Sequence, residues 1–381
     1  MTHLVRGLLV TVVASAVAAS GGCVFELGEV VDSAAGGGGA SSSGGQGGMV
    51  EPMRQRTRIE IDASALASTH DDFPVLVVVD SNGVDHAQAG ANGSGVRFYA
   101  EDGTTLLAHD VEQWSAGGTS YVWVKLPTVT AGVNAIWLVV GDVDAPTALP
   151  PEGTWSAYAA VYHLGDRSDA GAGSLDGTAV SLSDAVVPGR FGDAHRFEAV
   201  GGPTPHINLP DDPVFRVPPG GVRSAEVWFR RSSPSDNLGF LLSLEGCCVG
   251  WGLRWVGSDL LRGQVGTGNC CTGASSYSFA QPPISDRGYE WHHVVMVMNR
   301  GAGTNELFVD GVLADSQPIV DDGSTMQGTL HIGSDFEGRD GFDGTLDEVR
   351  ISTRALPPDW IALQHAVMTG TVVSVATPEA F

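Results

Sequence analysis

Short runs of β-branched and aromatic residues, each ended by a Gly-, Asn- or Asp-rich turn, succeed one another along most of the chain. "RTRIEID", "DFPVLVVVD", "GVRFYAED", "LLAHDVEQW", "SYVWVKLP" and "NAIWLVVGD" fill the stretch from Arg56 to Asp142. Their alternation and spacing predict an all-β sandwich of about 100 residues. A second series begins at "FGDAHRF" and passes through "SAEVWFRR", "LGFLLSLEG", "GWGLRW", "YEWHHVVMVMN" and "NELFVDGVLA" to "FDGTLDEVRIS". Within it, Asp310-Gly311 between two apolar runs signals a two-residue hairpin. "LPPDWIALQHA" predicts a short C-terminal helix whose prolines sit at its start, where a missing N–H costs little. The Pro-rich "APTALPPEG" divides the two series. The pattern therefore predicts an all-β chain, with one unit over 51–149 and another over 150–381.

The first fifty residues read differently. "MTHLVRG" followed by "LLVTVVASAVAAS" has the charged start and short apolar run of an export signal, too short to span a bilayer. "SGGC" ends at Cys23 and resembles a bacterial lipobox, with Ser20 where that family has Leu. The resemblance implies a signal peptide over 1–22 and a lipid on Cys23; ordinary cleavage nearby is the alternative. Val24 is not the Asp that retains some lipoproteins at the inner membrane, so an outer-membrane or extracellular address is expected. From Ser33 to Gly48 the chain reads "SAAGGGGASSSGGQGG", too poor in apolar side chains for a core, and 23–50 is expected to be a flexible tether.

Charge narrows the partners. The chain has 381 residues, 20 Lys plus Arg against 44 Asp plus Glu, and a formal net charge of −24. Such a balance repels phosphate backbones and argues against nucleic acid. Beyond Cys23 the cysteines form two adjacent pairs, Cys247–Cys248 and Cys270–Cys271. In an exported chain an even set points to disulfides, with three connectivities open. Neighbouring cysteines on extended chain point apart and lack zinc-site spacing.

Two family resemblances follow from these runs. "FPVLV", "GVRFYAEDGTTLLAHDVEQW", "YVWVKLPTV" and "IWLVVGD" resemble the bacterial domain-of-unknown-function family 2341, over roughly Arg56 to Val143, which implies a fold but no activity. From about Trp155 onward, "TWSAYAAVYHLGD" and the ordered motifs that follow resemble a laminin-G-like, concanavalin A-like jelly roll. The fold expected is thus an N-terminal β-sandwich, then a concanavalin-like β jelly roll, then a short helix.

The candidate chemistry centres on Asp347 and Glu348. On a regular strand, Val349 and Ile351 would face the core with Asp347, while Glu348 and Arg350 would face out. The two acids would then diverge and could not flank one glycosidic bond, so a non-enzymatic protein is expected. Glu60 with Asp62, and Asp110 with Glu112, read as edge-strand surface acids. His163, His292 and His293 read as core or rim histidines. "GTGNCCTG" lacks the Lys and the helix of a phosphate loop, and no G-x-S-x-G elbow occurs. An inward Asp347 needs a partner: the jelly-roll resemblance implies structural Ca2+ shared with Asp166 and Asp169, while backbone N–H groups alone would serve equally. Trp251, Trp255 and Tyr277 are candidates for stacking on sugar rings. The function expected is a surface-displayed module binding a glycan or a surface protein, touching the membrane through its lipid only. An envelope assembly role and an unrecognised glycoside hydrolase are the rivals.

Overall fold

A computed structural model describes residues 54–80, 83–142, 144–198, 203–232, 239–246, 249–257, 259–268 and 276–381. The expected export signal over 1–22, Cys23, the expected tether over 23–50 and Cys247, Cys248, Cys270 and Cys271 all lie outside these residues. Among the described residues no helix is long and apolar enough to cross a membrane.

The first series folds as expected into two facing sheets. One orders Val373–Val375, Gln55–Asp62, Val133–Val140, Arg97–Ala100 and Leu106–Leu107, with Glu379–Ala380 also paired to Gln55–Asp62. The other holds His70–Val79, Ser120–Val129 and His109–Gln113. The second series forms the jelly roll. Its eight-stranded sheet runs Val186–Pro188, Asp193–Phe197, Gly344–Ser352, Val222–Arg231, His292–Asn299, Thr304–Val309, Val312–Pro318, with Ala160–Tyr162 also on Gly344–Ser352. A seven-stranded sheet faces it, with Ser276–Ala280 at one edge and Thr178–Val180 at the other. The Asp-Gly turn is present: Asp310 and Gly311 adopt φ of 50° and 80° and join Val309 to Val312, as a tight hairpin twisted like its strands demands.

The two series pack against each other. Residues 50–381 cluster as one compact unit. The chain's last strands complete the first sheet, and one continuous apolar core joins Ile59 and Val77 of the first series to Trp228, Val295, Phe308 and Trp360 of the second. The cause lies in the His70–Val79 strand, where Phe73, Val75, Leu76, Val77 and Val79 are all buried. A strand apolar on both faces needs cover on both. The Pro358–Met368 helix supplies part of it, with Trp360 edge-on to Phe73 at 4.7 Å.

That helix also caps the outer face of the jelly roll. His365 stacks over Trp228 at 5.7 Å and His293 at 5.9 Å. Burial, then the charge of His293, lowers the His365 pKa to about 4, with Asp310 pulling the other way and Arg190 and His292 adding to the depression. An unfolded chain would therefore bind a proton between about pH 6.5 and 4 that the folded chain refuses, so stability falls as pH drops through that window. After discounting for solvent screening, the contribution is about 1–2 kcal/mol. Urea denaturation at pH 7 and 4.5 should show His365→Gln losing less stability on acidification than the parent. Equal losses would remove His365 from the acid response.

Candidate functional site

Two β-bulges face each other where the first sandwich meets the jelly roll. On His109–Gln113 the pairing steps from Val111↔Val122 to Gln113↔Tyr121, which leaves Glu112 as an extra residue. On Gly344–Ser352 it steps from Trp228↔Asp347 to Glu226↔Arg350, and Glu348 has φ of 54°. A bulge breaks the two-residue alternation and re-aims side chains. A left-handed Glu costs about 1–3 kcal/mol, held in place by its surroundings.

This overturns the expected divergence of Asp347 and Glu348. Trp228 and Glu226 lie two residues apart and share a face, so their partners Asp347 and Arg350 share it too. Glu348 joins them, since Arg350 Nε donates to its Oε2 at 3.0 Å. Val349 and Ile351 do enter the jelly-roll core as expected. The outer face, however, is covered by the first sandwich rather than by water, and Asp347, Glu348 and Arg350 are all buried.

His163 follows the Ala160–Tyr162 strand and reaches into the same junction. Its Nδ1 lies 2.5 Å from Glu348 Oε1 and 3.7 Å from Glu112 Oε2, and its Nε2 lies 3.3 Å from Asp110 Oδ2. Trp123 Nε1 donates to Glu112 Oε2 at 2.7 Å, and Trp155 Nε1 to Asp110 Oδ2 at 2.8 Å. The Arg350 guanidinium lies over Trp123 and Trp155 at 4.0 and 4.7 Å. The network continues through Gln364, which donates to Tyr158 Oη at 2.6 Å, and through His293, 3.1 Å from Glu226.

Electrostatics divide the acids. Burial, then the charge of Glu348, raises the Glu112 pKa to about 8. Burial, then Glu348 and Glu112, raises Asp347 well above the carboxylate range. Burial would also raise Glu348, but the charges of His163 and Arg350 outweigh it and hold the pKa at about 2. For His163 burial is outweighed by Glu348, Asp110 and Glu112, so its pKa rises well above 6.5. Above this network opens a cleft of about 760 Å³, walled by Asp110, Glu112, Glu152, Asp166, Asp169 and Asp193 with His163. Its wall contains no Lys, Arg, Phe, Tyr or Trp side chain among the described residues.

The expected site residues fall as follows. Asp166 and Asp169 line the cleft, but each has local partners: Asp166 accepts from the Ser168 amide at 2.8 Å, and Asp169 from those of Val161, Gly171 and Leu175. Asp347 Oδ2 accepts from the Arg190 and Phe191 amides at 2.6 and 3.0 Å. The donor atoms that converge within 4.8 Å, among the described residues, belong instead to Glu112, His163 and Glu348. Asp110 and Glu112, expected at the surface, point into the junction. Trp251 and Trp255 are 0% and 1% exposed and cannot stack on a ligand. Their strand lies inside the seven-stranded sheet, and their indole N–H groups bond to the carbonyls of Phe215 and Gly257. Tyr277 is exposed on the edge strand, parallel to Phe279 at 5.6 Å.

Comparison with known proteins agrees with the two-part architecture. Residues 200–362 match the concanavalin A-like lectin/glucanases superfamily, and residues 92–171 match a domain of unknown function, DUF2341. No curated protein matches the chain. Among solved structures, the botulinum neurotoxin serotype D binding domain is similar at 16% identity and a TM-score of 0.43, over 56% of this chain and 52% of that one. The binding domain of botulinum neurotoxin DC in complex with SialylT gives 11% and 0.44, over 56% and 52%. The binding domain of Paraclostridial Mosquitocidal Protein 1 gives 13% and 0.43, over 55% and 51%. The chain thus spans about half the length of each.

Proposed function

We propose that the protein is a non-catalytic binding module, displayed outside the cell on its lipidated tether, that holds a neutral or cationic sugar chain in the junction cleft. The observation that carries this reading is the acid-rich cleft wall, where Asp110, Glu152, Asp166, Asp169 and Asp193 outnumber the single imidazole of His163 and no Lys or Arg is present among the described residues. Its volume of about 760 Å³ suits a small ligand, pockets for which run to about 300–1,000 Å³. Carboxylates accept short, charge-assisted hydrogen bonds from hydroxyl and ammonium groups. They repel sialic and uronic acids, which gives selectivity by exclusion. The match to a lectin-containing superfamily agrees with binding in general.

A second reading, hydrolysis, rests on one observation: a carboxylate oxygen of Glu112 lies within 4.8 Å of one of Glu348, against carboxyl groups about 5–5.5 Å apart in retaining glycosidases. Against it, Glu348 is buried under Arg350 and His163 and forms no part of the cleft wall.

One panel decides between them. The full chain, applied to an array of neutral, amino and acidic oligosaccharides, should retain the neutral or amino members and reject the acidic ones. Glu152→Gln with Asp193→Asn should weaken binding at least about tenfold, since a hydrogen bond to a charged group contributes about 1.5–3 kcal/mol. Retention of acidic glycans alone, or indifference to both changes, would end the binding proposal. New reducing ends that disappear in Glu112→Gln would establish hydrolysis in its place.

A further inference from the structure

We infer that the junction beneath the cleft is a metal centre, holding a divalent transition ion of the Zn2+ or Mn2+ kind on His163 Nδ1 and one carboxylate oxygen each from Glu112 and Glu348. This goes beyond the sugar-binding proposal and stands whether or not that proposal survives.

Three segments distant in sequence converge here, with donor atoms within 4.8 Å of one another. Two of them arrive through bulges that a plain ladder would not need. Each side chain is also held in place by a neighbour outside the cluster. Asp110 faces His163 Nε2 at 3.3 Å and is itself fixed by Trp155. Arg350 holds Glu348 Oε2. Trp123 holds Glu112 Oε2, the oxygen that lies 3.7 Å from His163 Nδ1. Carboxylates and hydrogen-bond donors behind the ligands, with the far imidazole nitrogen facing a carboxylate, are the usual supports of a metal site.

A second observation points to a missing ligand rather than to a self-sufficient salt-bridge cluster. The Glu112 side chain is 4% exposed, and its Oε1 has no hydrogen-bond partner. Asp347 Oδ1, buried nearby, also has none. Buried carboxylate oxygens are costly to leave unpaired. A divalent ion would take the place of the proton between His163 Nδ1 and Glu348 Oε1. The carboxylates of Glu112 and Glu348 would offset its two positive charges, and Asp110, 3.3 Å from His163 Nε2, would stand against the charge of Arg350. One imidazole nitrogen with two carboxylate oxygens suits Zn2+ or Mn2+ better than Ca2+, which takes oxygens alone. Glu112 and His163 also line the cleft, so water or a ligand hydroxyl can complete the shell from that side.

The test uses the full chain stripped with EDTA and titrated with Mn2+, read by loss of the free-ion paramagnetic resonance signal. Mn2+ is chosen because the cysteine pairs would compete for Zn2+. One Mn2+ per chain is expected, displaced by excess Zn2+ but not by the same excess of Ca2+. Glu112→Gln, which keeps an acceptor for Trp123, should weaken uptake at least about tenfold, and His163→Gln should abolish it, with a melting curve confirming that each variant is folded. No uptake at millimolar Mn2+ would overturn the inference. So would uptake unchanged by Glu112→Gln, which would place the ion on the outer cleft acids, or displacement by Ca2+ as readily as by Zn2+.

Discussion

Arg350→Ala is expected to lower the unfolding free energy by about 3–5 kcal/mol, the usual result of removing one partner of a buried ion pair. The guanidinium is fully buried and lies over the rings of Trp123, Trp155 and Tyr158 at 4.0, 4.7 and 5.7 Å while it holds Glu348. Alanine would leave the Glu348 carboxylate facing only His163 and open a gap among three rings. Two mechanisms therefore add, an uncompensated charge and lost stacking. Arg350→Lys should recover part of the loss, because it restores charge without a planar group that can both stack and bond. The double change Glu348→Gln with Arg350→Met should be milder than Arg350→Ala, since neither charge then remains. Urea denaturation of the full chain measures all three. A loss below about 1 kcal/mol for the alanine variant, the size expected of a solvent-exposed pair, would show that the junction is wetter than these distances imply.

The same residues show where sequence reasoning succeeds and where it stops. Strand positions follow from alternation, and Asp310-Gly311 fixes its hairpin because both turn residues must take positive φ. The inward side of Gly344–Ser352 is likewise legible in Val349 and Ile351. The bulges are not. Glu112 and Glu348 are extra residues only relative to Val122 and Val227 on partner strands, and nothing in "HDVEQ" or "TLDEVR" marks the offset. Pleat geometry applied without it sends Asp347 to the wrong face. The outer face misleads for a related reason. Glu348 and Arg350 look solvent-facing because polar residues usually are, yet the apolar second face of "DFPVLVVVD" already signals a covering layer. Trp251 and Trp255 fail as ligand platforms because aromatics on an inner strand bury themselves first. His163 and the acids of "HDVEQ" carried the available signal, an imidazole and an i, i+2 acid pair, but their partnership depends on contacts from 53 to 185 residues away.

Expression of residues 150–381 without the first sandwich is expected to give an aggregating, poorly folded product rather than a free-standing jelly roll. Separation would expose Trp155, Phe191, Trp228, Val295, Val297, Phe308 and Trp360, all now buried in the shared core. Each large side chain stripped of its cover forfeits about 1.5–3 kcal/mol, against a total stability of about 5–15 kcal/mol for a typical domain. The first sandwich would suffer as well, since Val373–Val375 and Glu379–Ala380 pair with Gln55–Asp62. The intact chain should unfold in a single transition, with tryptophan fluorescence and far-ultraviolet dichroism coinciding along a urea series. A monomeric 150–381 fragment melting cooperatively within a few degrees of the whole chain would overturn the shared-core account. The consequence reaches the site. Asp110 and Glu112 come from one side of the junction, and His163, Asp166, Asp169 and Asp193 from the other. A cleft built from both halves exists only while they are docked, so the proposed sugar and metal binding have to be tested on the undivided protein.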